Sequence, residues 1–239
     1  MGKKFLKGAA SAPNFLKMQQ SFNRWSNWAC FEIVHRPQLE HRVDALTKLI
    51  HVAYLCRIHN NFNTSYSIVA GLELSPVSRL KLTWEKLPRK TQLIWTELKA
   101  LFDINDNHLA YRTALSTSHP PIVPYLGLYS KTFLTLEDNP HDPIRTRSGL
   151  INISKLRSIY GLIKEIQQYQ ITPYETLEFS RFMREYFDNW SMVSEAELFD
   201  LSLICEPRAG AGRQLSRTVS RGSTGTQLPR FGFSASSKE

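Results

Sequence analysis

Apolar side chains recur every three or four residues along most of the chain. The first two such runs are Phe22, Trp25, Trp28 and Ile33, and then Leu39, Val43, Leu46, Leu49, Ile50 and Ala53. This spacing places apolar side chains on one face of an α-helix. The pattern therefore predicts two long helices in the early part of the chain.

Capping residues and prolines mark where further helices begin. The expected starts are Asn63, Ser75 with Pro76 (a helix that continues through Leu80, Trp84 and Leu87), Pro88, Asn105 or Asp106, and Asn152 or Ser154. Two last helices are expected over roughly residues 176–188 and 194–204. No segment alternates apolar and polar residues over a useful length, so the predicted fold class is all-α.

The net positive charge of the chain comes from its two ends. The net charge is +9, of which residues 1–17 carry four Lys without an acid. Residues 207–239 carry five Arg and one Lys against one Glu, which leaves 20 basic and 20 acidic residues in 18–206. A nucleic-acid-binding domain concentrates positive charge on its folded surface, so no nucleic-acid partner is expected. The basic ends are either solvated or weakly attracted to an anionic membrane surface.

Composition divides the chain into one domain and two tails. Residues 207–239 are rich in Gly, Ser and Arg, without apolar periodicity, and are predicted to be disordered. Residues 1–13 are predicted to be a flexible basic N-terminus, and residues 14–206 the folded domain. Residues 1–11 contain no apolar core of signal-peptide length, and no apolar stretch reaches membrane-spanning length. The simplest expectation is a cytoplasmic protein, with recruitment to membranes left open.

Motifs for covalent, metal or nucleotide chemistry are missing from the sequence. Cys30, Cys56 and Cys205 form no CxxC pair, and the seven His residues lack zinc-ligand spacing. The three thiols are predicted to be reduced and buried. No phosphate loop, GxGxxG, HExxH or GxSxG occurs. We therefore predict no bound metal, no cofactor and no enzyme chemistry.

Residues 120–140, PPIVPYLGLYSKTFLTLEDNP, combine an apolar body with an acidic end. Two interpretations are open on the residues alone. Leu134 and Leu136 belong to the core and Glu137 and Asp138 simply end a helix, or this end of the helix faces a partner.

Several stretches, taken together and in order, resemble the catalytic domain of Ras-type guanine-nucleotide exchange factors (RasGEF). They are FNRWSNW, CRIHNNFNTSYSIVAGL, SRLKLTWEKLP, NHLAYR, PPIVPYLGLY, LEDNP and LINISKLRSIYGLIKEIQQYQITPY. The resemblance covers residues 14–206. It implies an irregular helical bundle with a protruding helical hairpin, which enters a Ras-family small GTPase, Ras or Rap, and promotes GDP release without covalent chemistry.

The same resemblance assigns residues to the hairpin. The segment quoted above forms one arm, and the helix after Ile151 forms the other. By position Leu134 is the apolar tip residue and Asp138 the acid, with Glu137 and Asn139 beside them. The glycine that usually precedes Asn139 in the family is missing, which shortens the turn by one residue.

A second implied contact is a pocket for the second switch of the GTPase. Its lining falls on Gln19, Tyr66, His108 and Tyr125, of which Gln19 and His108 are more polar than the family pattern. Arg79 is expected to support the base of the hairpin, or else to form a plain surface salt bridge.

The resemblance also implies that the family's domain has further helices ahead of PNFLKM. The chain is accordingly expected to be an N-terminally truncated form. The alternative to exchange activity is an exchange-inactive GTPase-binding or scaffold module. A helical adaptor unrelated to GTPases is a third hypothesis.

Overall fold

A computed structural model describes residues 13–138, 149–175, 177–178 and 180–208. For Glu137 and Asp138 it describes the backbone alone. The tails predicted to be flexible therefore lie outside the described residues, except for Pro13, Pro207 and Arg208.

Helices make up the regular structure of the described residues, as the sequence pattern predicts. They are α1 Pro13–Val34, α2 Leu39–Ile58, α3 Phe62–Glu73, α4 Ser75–Ser78, α5 Lys81–Glu85, α6 Arg89–Leu101, α7 Asn105–Thr117, α8 Leu126–Asp138, α9 Ile153–Gln168, α10 Arg181–Asp188 and α11 Glu195–Cys205. Extended pairing in these ranges is limited to an isolated bridge between Asn61 and Val123. The all-α prediction is confirmed.

The core is centred on α3, which packs against both α1 and α2. Its buried side chains include Ile68 and Leu72, and they meet Ile33 of α1 and Ile50 of α2 within one apolar cluster. Gly71 sets the spacing, because an added Cβ would collide with the backbone oxygen of Ser26 on α1. The glycine lets the two backbones approach closely.

The start of α3 differs from the prediction by two residues. Asn61, rather than Asn63, is the N-cap, and its side-chain oxygen accepts a hydrogen bond from the backbone N–H of Thr64 at 3.0 Å. Asn60 takes a left-handed conformation with φ 55°, which ends α2 and turns the chain sharply enough for α3 to begin at Phe62. Asn63 is consequently inside the helix and buried.

Three other expected helices are interrupted or shortened. The single helix predicted from Ser75 to Leu87 is two short helices, because Leu80 between them is buried with ψ 71°. In α7, Asp106, Asn107 and His108 have φ of 50–59°, so the regular helix begins at Leu109. The penultimate helix begins at Arg181, where Ser180 caps it, and not near residue 176.

A buried charged residue ties the end of the domain to its beginning. Arg42 is 2% exposed and donates hydrogen bonds to the backbone oxygens of Arg36 and Pro37 and to the Thr83 hydroxyl. Its guanidinium lies 3.7 Å from the Glu206 carboxylate, which also accepts a hydrogen bond from the Thr83 hydroxyl at 2.8 Å. A buried charge needs such partners, since leaving it unpaired costs several kcal/mol.

The cysteines are free thiols, as expected, but they differ in burial. Cys30 is fully buried, whereas Cys56 and Cys205 are half-buried. Burial raises the pKa of Cys30 to about 12 and that of Cys56 to about 11. Both are therefore protonated and unreactive at neutral pH. None of the helices in the described ranges is long and apolar enough to cross a membrane.

Replacing Gly71 by Ala tests the close packing of α1 and α3. The added methyl meets backbone that cannot move aside, so we expect Gly71→Ala to lower the free energy of unfolding by about 1–3 kcal/mol. Gly161→Ala is the matched control, because Gly161 lies in α9 with open space around it. Helix propensity should make that change neutral or stabilising by up to about 1 kcal/mol. Urea unfolding gives both values, and similar losses in the two variants would contradict the packing argument.

Candidate functional site

Helices α8 and α9 form an antiparallel hairpin. They are in contact with each other, and Tyr129 near the start of α8 meets Glu165 near the end of α9. Residues 139–148, which connect the other ends of the two helices, lie outside the described residues. The base of the hairpin is therefore the end that holds Tyr129 and Glu165.

A carboxylate joins the two arms at this base. The hydroxyl of Tyr129 donates to Glu165 Oε1 at 2.6 Å, and the hydroxyl of Tyr169 donates to the same oxygen at 3.1 Å. Burial, together with the hydrogen bond to Glu165, raises the pKa of Tyr129 far above its usual range. Tyr129 thus stays protonated and remains a donor throughout the physiological range. We call these three residues the hairpin latch.

The segment that leads into α8 is fixed to the body of the domain by backbone hydrogen bonds. The N–H of Val123 donates to the oxygen of Asn60 at 3.0 Å, and the N–H of Asn63 donates to the oxygen of Val123 at 3.2 Å. The side chain of Asn60 also donates to the oxygen of His119 at 2.9 Å. The asparagine-rich motif at residues 60–63 therefore positions the hairpin.

A buried tyrosine adds a further attachment at the first residue before α8. The backbone N–H of Tyr125 donates to the hydroxyl of Tyr111 at 2.8 Å. Tyr111 lies on α7 and is 1% exposed. The NHLAYR motif thus supplies a fixed acceptor for the start of the hairpin.

The half of the hairpin away from its base leaves large apolar side chains exposed. Ile153, Leu156 and Tyr160 follow helical spacing along one face of α9, and Tyr160 is 64% exposed. Ile163 continues this face toward the base and is 39% exposed. Leu150 and Ile151, just ahead of α9, are exposed as well. Contiguous exposed apolar surface of this kind marks a site of interaction.

Only one of the four residues assigned to the tip has a described side chain. Leu134 is half-buried and lines an apolar groove of ≈ 240 Å³ between α8, the end of α9 and the first turns of α1. Glu137 and Asp138 end α8, as predicted, but their side chains are not described. Asn139 lies outside the described residues.

Two of the four residues assigned to the second pocket meet in an aromatic cluster. The rings of Tyr66 and Tyr125 are in edge contact at 4.7 Å, and Tyr66 also stacks on Phe102 at 4.7 Å. Phe22, which the sequence reasoning did not assign, contacts both Tyr66 at 5.8 Å and Tyr125 at 5.2 Å. Phe22 could have been predicted as a lining residue, because it lies one helical turn after Gln19 on the same helix.

Gly127 allows the ring of Tyr125 to reach this cluster. A Cβ added at Gly127 would collide with the Tyr125 ring. The absence of a side chain two residues later thus lets Tyr125 fold back over the first turn of α8.

Gln19 and His108 are placed differently from the aromatic pair. Gln19 is exposed on α1, on the same face as Phe22. His108 is half-buried in the left-handed turn of α7, and partial burial, with Lys131 and Arg112 nearby, lowers its pKa. His108 is therefore neutral at pH 7. The described ring contacts of the aromatic cluster do not include it.

Arg79 contacts the end of α11. Its guanidinium donates to the backbone oxygens of Ser202 and Glu206, each at 2.7 Å, and lies 5.8 Å from the centre of the Phe199 ring. These contacts hold the end of α11, and none of them is to α8 or α9. Arg79 thus bonds to carbonyl oxygens at the end of α11 instead of to a carboxylate.

Comparison with known proteins agrees with this architecture. The family model described as the RasGEF domain matches residues 1–157. Ras guanine nucleotide exchange factor D of Dictyostelium discoideum is 36% identical over 201 residues, which is 83% of this chain and 30% of that protein. Ras-specific guanine nucleotide-releasing factor 2 of Mus musculus is 33% identical over 199 residues, 83% of this chain and 17% of that protein.

The chain belongs to the RasGEF domain family. It spans less than a third of the length of these curated relatives.

Removing the Tyr129 hydroxyl tests whether the latch fixes the hairpin. Tyr129→Phe deletes a hydrogen bond to a carboxylate, so we expect a loss of about 1.5–3 kcal/mol in the local stability of α8 and α9. Hydrogen exchange of amides in the two helices measures this opening. Tyr160→Phe, on the exposed face of α9, is the control and should leave exchange unchanged. Equal exchange rates in both variants would show that the latch holds nothing.

Proposed function

We propose that this chain is a guanine-nucleotide exchange factor for a Ras-family small GTPase. It promotes GDP release by inserting the α8–α9 hairpin into the nucleotide site, without forming a covalent bond. The observation that supports this most is a hairpin fixed at its base by the latch and apolar and exposed beyond it. The names of the relatives, which include Ras-specific guanine nucleotide-releasing factors, point to the same partner.

The proposed mechanism is differential binding. The chain holds the nucleotide-free GTPase more tightly than the loaded form, and this preference lowers the barrier to release. A ten-thousandfold acceleration requires about 5.5 kcal/mol of such preference. A hairpin that is already ordered at its base loses less conformational entropy on binding, so more of the contact energy opens the nucleotide site.

The proposed tip chemistry combines an apolar and an acidic residue. The Leu134 side chain disfavours the hydrated magnesium ion of the GTPase, since it offers no oxygen ligand. The Asp138 carboxylate competes with the phosphates for the cationic groups that hold them. Glu137 and Asn139 flank it in sequence and complete the proposed tip.

The aromatic cluster is the second proposed anchor. Tyr66 and Tyr125 offer half-buried rings against which a side chain of the second GTPase switch packs, a contact of about 2 kcal/mol or more. Gln19 lies at the rim beside Phe22, and His108 offers a neutral imidazole at pH 7. In this proposal the two polar residues select among GTPases, so that Ras and Rap differ in affinity.

We further propose a cytoplasmic location, with the basic ends supporting recruitment to anionic membranes. In this proposal the chain meets its GTPase when both are bound to the same membrane. The ends contribute long-range attraction that is weakened by salt.

An exchange assay tests the proposal directly. Ras and Rap are loaded with a fluorescent guanine nucleotide, and the chain is added in catalytic amounts. We expect Leu134→Ala and Asp138→Asn each to slow release about tenfold or more, which corresponds to ~1.4 kcal/mol of lost preference. Leu55→Ala and Asp44→Asn, both on the exposed surface of α2, are matched controls and should retain full activity.

The outcomes of this assay distinguish the hypotheses. Release with turnover supports exchange activity, whereas stoichiometric binding without release indicates an exchange-inactive GTPase-binding module. No binding to either GTPase would indicate a helical adaptor. Losses of rate that are matched by equal losses of thermal stability would contradict the assigned roles of Leu134 and Asp138.

A further inference from the structure

Basic residues are concentrated where α5 turns into α6. Residues 81–90 contain four basic residues and one acid, although residues 18–206 as a whole carry 20 of each sign. The side chains of Lys81, Lys86, Arg89 and Lys90 are all exposed. With Leu82 and Leu93 they form a surface that we call the basic corner.

The cations of the basic corner are not placed for stability. None of the four forms an ion pair with an acid in the part of the chain that the structure describes, unlike Lys48 with Asp44 and Lys99 with Glu73. Arg89 and Lys90 are also the first two residues of α6, whose first turn contains no acid. Positive charge at a helix N-terminus is repelled by the helix dipole. Their placement therefore favours an anionic partner outside the domain.

Two leucines project beside these cations. Leu82 is 56% exposed and Leu93 is 65% exposed, whereas Leu98 of α6 is buried and Trp84 and Trp95 are half-buried. Leu93 lies one helical turn after Arg89 and Lys90, so that the leucine and the two cations share a face. The basic corner thus presents both positive charge and aliphatic side chains.

The basic corner is held in a fixed shape by the contacts beneath it. The rings of Trp84 on α5 and Trp95 on α6 pack at 5.0 Å, and the indole N–H of Trp84 donates to the oxygen of Val77. The side chain of Gln92 donates to the oxygen of Leu87 at 2.9 Å, which closes the turn between the two helices. The exposed groups are therefore presented by a rigid base.

The basic corner is separate from the proposed GTPase site. Helix α6 has 13 residues and so is about 20 Å long. Its far end is followed by Phe102, which stacks on Tyr66 in the aromatic cluster. A partner at the basic corner would leave that cluster accessible.

We propose that the basic corner is a contact site for an anionic membrane surface. Acidic headgroups neutralise the four cations, and Leu82 and Leu93 enter the boundary between headgroups and acyl chains. A nucleic acid would match the charge but would gain little from exposed leucines, and Trp84 and Trp95 are packed on each other instead of being free to stack on bases. The mixture of cations and aliphatic side chains favours lipid.

Vesicle sedimentation tests this inference without any GTPase. The full chain is mixed with phosphatidylcholine vesicles that either contain or lack phosphatidylserine. We expect binding only to the anionic vesicles and its loss at high salt, because each basic residue near the surface contributes about 1 kcal/mol and is screened by ions. In the triple variant Lys86→Glu/Arg89→Glu/Lys90→Glu the partition coefficient should fall by about 100-fold or more.

Two further variants make the result specific to the basic corner. Leu82→Ser/Leu93→Ser should also weaken binding, although it leaves the charge unchanged. Arg213→Glu/Arg217→Glu/Arg221→Glu, in the C-terminal tail, matches the triple variant in charge and should weaken binding less. Circular dichroism confirms that each variant is folded.

Three results would overturn the proposal. They are no binding of the unmodified chain to anionic vesicles, equal binding by the triple variant, and a loss confined to the tail variant. Binding to a mixed-sequence RNA that the leucine variant retains, without binding to vesicles, would instead assign the basic corner to nucleic acid. None of these outcomes depends on exchange activity, which the fluorescent nucleotide assay measures separately.

Discussion

The Tyr129 hydroxyl and the Glu165 carboxylate meet at 2.6 Å at the base of the hairpin, and the candidate site depends on that contact. It joins α8 to α9 close to the core, where Leu128 and Tyr129 are buried. Farther along the same two helices the apolar residues are exposed. In the proposed function, the hairpin can enter a partner in a fixed orientation only if its base stays closed. The latch is therefore the contact on which the proposed site depends.

Residues that resemble family motifs serve mainly to position the hairpin. The asparagines at 60–63 hold the segment before α8 through Val123, and Tyr111 holds the backbone of Tyr125. Gly71 brings α1 against α3, and Gly127 leaves room for the ring of Tyr125. The proposed function needs little chemistry, because it changes a binding equilibrium and breaks no bond. Most of the residues that match family motifs therefore position the hairpin.

Helical periodicity predicted the long helices well, since α1 and α2 have one apolar face packed on the core and α9 has an apolar face of the same spacing that is largely exposed. It failed where tertiary contacts override local preference. Leu80 is pulled into the core and divides the predicted helix after Ser75, and the left-handed turn at 106–108 delays the start of regular helix in α7. The contacts of Arg79 could not be predicted for a similar reason, because its partners at Ser202 and Glu206 are more than 120 positions away in the sequence. Local pattern holds no information about such pairs.

The site could be predicted only in part. Tyr66 and Tyr125 do meet, as expected. Phe22 also contacts them, and this could not be predicted from its residue type, because it depends on how α1 is rotated against the cluster. The latch was also missed, because a Tyr and a Glu that are 36 positions apart resemble ordinary surface residues until the two helices are placed side by side. The basic corner was missed because only the net charge of residues 18–206 was considered, and that net charge is zero.

The proposal that the hairpin enters the GTPase is tested by hydrogen exchange of the chain, alone and with a nucleotide-free Ras-family GTPase. We expect amides near Tyr129 and Glu165 to be protected already in the free chain. Protection then increases at the far half of the hairpin, in residues 131–138 and 150–160, with the nucleotide-free GTPase and much less with the GDP-loaded form. New protection confined to the outer face of α2, with the hairpin unchanged, would contradict it.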